Sequence, residues 1–342
     1  LIMLKSCEID FNNPPAKAQE IISAGDVPLG TQGNLFGITG GEGTGKSNYV
    51  AAIVAGCICP AGAEVDTLGI QITANGRHKA VLLYDTEQSE VQLFKNVSNL
   101  LARAKQPDKP DELKAFCLTG MSRKERLNAI VQSMDKFYYQ YGGIQLVVID
   151  GIADLVKSAN DEAESVAVID ELYRLAGIYN TCILCVLHFV PNGLKLRGHL
   201  GSELQRKAAT ILSIEKDDEP AQSVVKALKV RDGSPLDVPL MLFAWDKEAG
   251  MHVYKGEKPR EEKEKRKERE LVNVAHDIFG RQTRITYIDL CEQLQQVLDI
   301  KERTAKSYIR FMRERDIITK DTANQSCFVI GSYHLQRNAS CP

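Results

Sequence analysis

Residues Gly40-Gly41-Glu42-Gly43-Thr44-Gly45-Lys46-Ser47 constrain this chain more than any other stretch. They read G-x-x-x-x-G-K-S, the pattern of a phosphate-binding loop. The apolar run before them, residues 35–39, predicts a buried strand, and residues 48–55 predict a helix. A strand, a glycine-rich turn and a helix N-terminus together form a nest of backbone N–H groups for anionic phosphate. Glycine is required where such a turn takes positive φ or passes close to its ligand. In that nest Lys46 would place a point charge on the β- and γ-phosphates, and Ser47 would offer its hydroxyl to Mg2+. Gly41, Glu42, Gly43, Thr44, Gly45 and Asn48 complete the expected cradle, and ATP with Mg2+ is the implied ligand. The alternative, a chance glycine-rich turn, is disfavoured by the strand and helix on either side.

With 342 residues the chain has room for one large domain and a small one, or for two of medium size. Its formal net charge of -2 announces no nucleic-acid partner globally, so any basic surface must be local. No apolar run reaches membrane-spanning length and nothing at the start reads as a secretory signal, so a cytoplasmic chain without a membrane partner is expected. The opening Leu1-Ile2-Met3 leaves the native N-terminus open. Nine cysteines form no disulfide-like framework. Cys182 and Cys185 sit three apart on an expected strand and face opposite sides, while Cys57 and Cys59 fall late on the helix after the glycine loop. All four read as small core residues in a reducing compartment.

Along the chain, residues 16–24 suit a short helix, and 28–30 lead into the first strand. Residues 80–84 read as a second buried strand, ending in Asp85-Thr86-Glu87-Gln88. A helix is expected over 90–104, with Val91, Phe94, Val97, Leu100 and Leu101 as its apolar face. A short strand at 116–118 and a helix over 122–139 follow. Residues 145–150 are a hydrophobic strand closing on Asp150, the Walker B pattern, whose carboxylate can hold Mg2+ beside the phosphate loop. A lone Asp often does no more than cap the next turn; behind a complete phosphate loop the metal reading is preferred. A helix over 161–179 leads to a strand at 181–188. Strands alternating with helices predict a mainly parallel sheet covered on both faces, with ligands bound beyond the strands' carboxyl ends. Lys46, Glu87, Asp150 and His188 all fall there. Residues 223–231, 238–245 and 251–254 read as antiparallel additions to the sheet.

These motifs together resemble the RecA-like ATPases, closest to RepA-type plasmid helicases and their DnaB and KaiC relatives, over about residues 20–255. The resemblance rests on the phosphate loop, Pro28-Leu29-Gly30, Leu82-Leu83-Tyr84-Asp85-Thr86-Glu87, and Val186-Leu187-His188. It implies that Glu87 polarises the attacking water and that His188 is a polar sensor of the γ-phosphate. Leu196-Arg197-Gly198-His199-Leu200-Gly201-Ser202 looks like the loop that holds single-stranded DNA in a central channel, which implies DNA contacts for Lys195, Arg197, Gly198 and His199. Ala208-Ala209-Thr210 departs from the family pattern just after it. Lys229-Val230-Arg231-Asp232-Gly233 looks like the K-x-R-x-G hairpin, whose Lys229 and Arg231 would reach the γ-phosphate of a neighbouring subunit. The resemblance therefore implies a homo-oligomer, a hexamer by analogy.

The expected division is a RecA-like core at 1–255, a charged linker or helix at 256–270, and a small unit at 271–342. The small unit reads as a helical, winged-helix-like domain. Helices are expected at 271–279, from Thr286 to about Val297 and over 301–315, with a wing at 317–320 and 327–330. Arg303, Lys306, Arg310 and Arg313 form a basic stripe on the third helix, opposite Ala305, Ile309 and Met312. Duplex DNA is the expected partner of that stripe; a solvated face on a protein-binding unit is the plain alternative. The chain thus reads as an ATP-driven motor on DNA, a RepA-like helicase of a plasmid or mobile element. One rival is a regulatory or transposition-accessory ATPase that binds DNA without unwinding it. Another is a phosphorylation-dependent signalling ATPase with a protein-binding tail.

Overall fold

The computed structural model describes residues 8–188, 198–217, 221–259, 263–280, 282–298 and 300–333. The chain divides into two compact units, residues 1–258 and 259–342.

The first unit is built on a nine-stranded sheet whose middle is parallel. The parallel strands are β3 (Leu35–Gly40), β5 (Ala80–Asp85), β6 (Leu113–Cys117), β7 (Ile144–Asp150), β8 (Cys182–His188) and β9 (Thr210–Lys216). β10 (Gln222–Val230), β11 (Leu240–Asp246) and β12 (Met251–Lys258) extend it antiparallel. Spatially the order is β12-β11-β10-β9-β3-β8-β7-β5-β6. β3 therefore has the other parallel strands on one side, and β9 with the antiparallel extension on the other.

Strands buried on both faces need apolar residues at every position, and β8 shows this. Cys182, Leu184 and Val186 join the core under one face, while Ile183, Cys185 and Leu187 join the core under the other. Cys182 and Cys185 thus point to opposite sides and are both buried. Helices α1 (Lys46–Ile58) and α2 (Glu90–Arg103) cover the first face. Helices α3 (Arg123–Tyr141), α4 (Glu162–Ile178) and α5 (Gly198–Lys207) cover the second. Ser122 opens α3 with a capping box to Glu125, and Asp161 caps α4 through the N–H of Glu164.

Two expectations are corrected here. Residues 16–24 do not form a helix: Glu20–Ala24 is β1, paired with β2 (Val27–Thr31) and β4 (Gln71–Ile72) in a small antiparallel sheet. Ala24 pairs with Val27 across a tight turn at Gly25, whose φ of 57° suits glycine. On α2 the buried face runs through Leu93 and Leu100, with Val97 and Leu101 beside them. Val91 and Phe94, expected in that face, are 80% and 74% exposed. Val97, Leu100 and Leu101 pack as expected, and Leu93 takes the place of Val91 and Phe94, because steps of four, seven and eight residues from Leu93 reach the same three positions.

In the second unit, helices α6 (Lys263–Phe279), α7 (Tyr287–Leu298) and α8 (Glu302–Glu314) enclose a core of Leu271, Ala275, Leu290, Leu294, Ile309 and Met312. A three-stranded antiparallel sheet completes it, ordered β13 (Ile285–Thr286), β15 (Cys327–Ile330), β14 (Ile318–Lys320). Thr286 opens α7: its hydroxyl accepts the N–H of Asp289 at 3.3 Å and donates to the Asp289 carboxylate at 2.7 Å.

Candidate functional site

β3 delivers the glycine loop to the carboxyl edge of the sheet, and α1 begins at Lys46. Gly43 and Gly45 have φ of 67° and 93°, the left-handed conformation that turns backbone N–H groups inward. A side chain at Gly45 would strike the ring of Phe243, 2.8 Å from where its Cβ would lie. Glu42, Gly43, Ser47 and Asn48 are exposed on the open side of the loop, with Gly41 beside them, while the Thr44 hydroxyl donates to the Gly41 carbonyl at 3.0 Å. Lys46 is buried, and its Nζ donates to the carbonyls of Gly40 (3.0 Å) and Gly41 (2.6 Å). Burial lowers the Lys46 pKa, against the opposing charges of Asp150, Glu87 and Glu42. At the end of β3 the Thr39 hydroxyl is buried without a hydrogen-bond partner.

Acids gather on the β8 side of this loop. In register, Asp85 at the end of β5 lies beside Asp150 at the end of β7, and His188 at the end of β8 lies beside Gly40. His188 Nε2 is 3.3 Å from Glu87 Oε2. Asp85, only 2% exposed, holds the turn that follows β5: its Oδ1 accepts the N–H groups of Glu87 (3.0 Å) and Gln88 (2.8 Å). The Thr86 hydroxyl ties the same turn to β7 through the carbonyls of Asp150 (3.0 Å) and Gly151 (2.8 Å). Gly151 has φ of 97°, and a Cβ there would meet the Thr86 hydroxyl and lie 2.6 Å from Glu87 Cγ. Burial is the main force raising the Asp85 pKa, opposed by those two backbone hydrogen bonds. Burial, then the charges of Asp85 and Glu87, push Asp150 up to about 7.

A pocket of acids whose ionisation is this costly is one that a cation relieves. Among the described residues no group of three or more His, Cys, Asp and Glu side chains could hold a metal unaided. Mg2+ suits such a site, because it keeps several waters and takes phosphate oxygens beside one or two protein ligands. The nest, the buried lysine, the orphaned Thr39 hydroxyl and the crowded acids therefore fit a Mg2+-bound nucleoside triphosphate. Ser47 and Asp150 are the side chains that would hold the metal. Asp85, Thr86 and Gly151 were not singled out from the sequence. The signal for Asp85 was present: in D-T-E-Q one acid can cap the backbone two and three residues on while the other stays available.

Lys195 and Arg197 lie outside the described residues. Gly198 and His199 belong to the first turn of α5, so the loop expected over 196–202 is helical from 198 onward. The reason is local: the Leu200 N–H bonds to the Ala159 carbonyl, and Gly198, with φ of 63°, packs against that residue where no Cβ would fit. Lys229 and Arg231 do face the same way, as alternation on β10 requires, but onto the other end of α5. Lys229 Nζ donates to the carbonyls of Gln205 (2.6 Å), Arg206 (3.1 Å) and Ala208 (2.7 Å). Arg231 Nη2 donates to the Lys207 carbonyl at 3.1 Å. Two cations at a helix C-terminus satisfy its last carbonyls and its dipole.

In the second unit Arg303, Lys306, Arg310 and Arg313 are all exposed on α8. Lys306 pairs with Glu302 at 2.7 Å and Arg310 with Glu314 at 2.8 Å. Arg313 lies over the ring of Phe328, 5.9 Å from its centre. Between the end of α8 and β14 runs an open groove of about 620 Å³, lined by Arg310, Arg313, Glu314, Asp316, Thr319 and Lys320.

Compared with known families, the chain matches a family model described as an AAA domain over residues 2–192. The match takes in the glycine loop, Glu87, Asp150 and His188. No curated protein matches the chain. No helix among the described residues is long and apolar enough to cross a membrane.

Proposed function

The chain belongs to the AAA domain family of P-loop ATPases, and from that premise we propose that it is a RepA-like motor coupling ATP hydrolysis to single-stranded DNA. The family uses ATP with Mg2+, and the metal, when bound, neutralises phosphate charge and polarises the reacting phosphoryl group. Lys46 binds the phosphates once its Nζ leaves the Gly40 and Gly41 carbonyls. Glu87, held by the Asp85 turn, orients a water and takes its proton. Asp150, with Ser47, would hold that metal, whose charge would offset the burial that raises the Asp150 proton affinity.

The observation that carries the DNA coupling is the 3.3 Å contact between Glu87 and His188. His188 is the last residue of β8, and the chain continues directly into the basic stretch with Lys195 and Arg197 before α5. A group that shares the water-positioning carboxylate therefore also heads the segment proposed to grip DNA, with Gly198 and His199 at its far end. Lys229 and Arg231 would join a neighbouring subunit's site on leaving α5, so the active form is proposed to be a ring. The second unit is proposed to be a winged-helix domain that reads duplex DNA through Arg303, Lys306 and Arg310. Its order of helix, strand, two helices and two strands supports this.

The test is ATP turnover with and without single-stranded DNA, beside unwinding of a forked duplex. Stimulated turnover with strand separation is expected, and His188→Ala should hydrolyse ATP without responding to DNA. Nucleotide-dependent DNA binding without strand separation would replace the motor with a regulatory ATPase. Turnover indifferent to DNA rejects the coupling altogether.

A further inference from the structure

The two sides of β3 are chemically unlike. On the β8 side stand His188, Asp150 and Glu87, the groups that mark where a terminal phosphate would react. A nucleotide whose terminal phosphate meets those groups leaves its base free to lie on the other side of β3, where β9 is followed by β10 and β11. On that side Met241, Phe243 and Trp245 alternate along β11 and so share one face of the sheet. Tyr49 Oη of α1 lies 3.8 Å from Met241 Sδ, and the Tyr49 ring is 5.8 Å from that of Phe243. Phe243 also fills the space where Gly45 lacks a side chain. Trp245 stands two residues further along the strand, roughly 6.6 Å at ordinary strand rise. β11 runs parallel to β3, so that step takes Trp245 further towards the carboxyl edge of the sheet, the edge that carries the glycine loop.

Trp245 is the chain's one tryptophan and is 55% exposed. It is nonetheless held in place. His252, its partner across β12, meets it at 5.5 Å with the rings 78° apart, and His252 meets Phe243 at 5.6 Å and 69°. Burial, then the charges of Arg103 and Lys216, push the His252 pKa below its ordinary value, so its ring is a neutral neighbour. A braced indole with open surface, at the sheet edge that carries the glycine loop, has the form of a stacking platform.

We propose that Trp245 stacks on the base of the nucleotide bound at the glycine loop. The inference rests on that loop binding ATP. Every base has a π-face, so the indole gives affinity for a nucleotide over bare polyphosphate rather than discrimination among bases.

The single tryptophan makes the test direct on the full chain. Tryptophan emission and calorimetric affinity are followed in Mg2+ with ATP and with inorganic tripolyphosphate. ATP should change the emission, and tripolyphosphate should bind without changing it. Trp245→Ala should weaken ATP about tenfold or more and leave tripolyphosphate affinity unaltered, which also shows that the loop is folded. Trp245→Phe should keep ATP within a few-fold of wild type. Equal emission responses to the two ligands, or full ATP affinity in Trp245→Ala, overturn the proposal while ATP binding itself stands. Emission that follows protein concentration instead of ATP assigns Trp245 to a contact between copies and also overturns it. Absence of ATP binding in the wild type removes the nucleotide site and the stacking role together.

Discussion

The chain carries charge in two contrasting ways. At the carboxyl edge of the large sheet, Lys46 and Asp85 are buried, and Asp150 is pushed up to about 7 beside two further acids. On α8 of the second unit, Lys306 and Arg310 are exposed and already paired with Glu302 and Glu314 one helical turn away. Burying charge without a matching partner is costly, and a fold keeps such a cluster where an outside ligand completes it. An exposed pair one turn apart costs little and contributes little. The first arrangement points to a ligand by its own energetics; the second gains meaning only from what approaches it.

The largest effects should follow from the buried cluster. Lys46→Ala should abolish turnover and sharply weaken ATP binding, because Lys46 is the main side-chain charge facing the phosphates. Glu87→Gln should lower turnover by about 10²–10⁴-fold with ATP binding nearly intact, since it removes a proton acceptor and no phosphate contact. Near-normal turnover in either folded variant would remove that residue from the chemistry.

Asp85 refines the picture. Asp85→Ala removes the acceptor of two backbone N–H groups and should reduce kcat at least about tenfold through a misplaced Glu87, with KM little changed. Asp85→Asn keeps an oxygen acceptor in the same place and should recover most of that loss. If both variants lose activity equally, the charge of Asp85 matters in itself and its positioning role fails.

The legibility of these two regions differs for physical reasons. The phosphate loop, the Walker B strand and the alternating layers were readable because each rests on local chemistry: glycine at positive φ, a buried apolar run, an acid at a strand end. What escaped depends on tertiary placement. Glu20–Ala24 is a strand because β2 and β4 pair with it, and nothing within residues 16–24 announces those partners. On α2 Val97, Leu100 and Leu101 meet the core as their spacing predicts, but its first turn enters through Leu93, leaving Val91 and Phe94 outside. Lys229 and Arg231 share a face as alternation demands, yet what that face meets, the end of α5, lies more than 20 residues away in sequence. The role of Asp85 was hidden by its neighbour: two acids two residues apart look alike until one is seen to hold the other's backbone.

A smaller effect tests the burial argument without catalysis. The folded pKa of Asp150, about 7, lies above its ordinary 3.8. Between those values the folded protein keeps a proton that the unfolded chain has lost. Without metal or nucleotide, stability should therefore fall as pH rises through this window and level off above about 7. Asp150→Asn removes the ionisable group, so its melting temperature should exceed that of wild type at pH 8 by at least about 2 °C. At pH 5, where wild-type Asp150 is still protonated when folded, the gain should be smaller. An equal gain at both pH values would show that Asp150 is not held as a strained acid.

The smallest effects belong to α8, and there the comparison can be broken. If Arg310 contacts duplex phosphate, it must first share or release Glu314. Arg310→Ala should then flatten the dependence of log affinity on log salt by about one unit, the signature of one lost phosphate contact. Glu314→Gln should strengthen duplex binding by about twofold, because it removes both an internal competitor for Arg310 and a like charge facing the DNA. The pair of variants separates two explanations that either alone would confuse. A structural role for the ion pair predicts that both changes weaken binding through the fold, with no change in salt slope. A phosphate-reading role predicts opposite signs. If neither variant moves duplex affinity or its slope, the stripe is a solvated face, and the second unit is better sought as a protein-binding domain. The groove beside Arg310 and Lys320 would then be the surface on which to look for that partner.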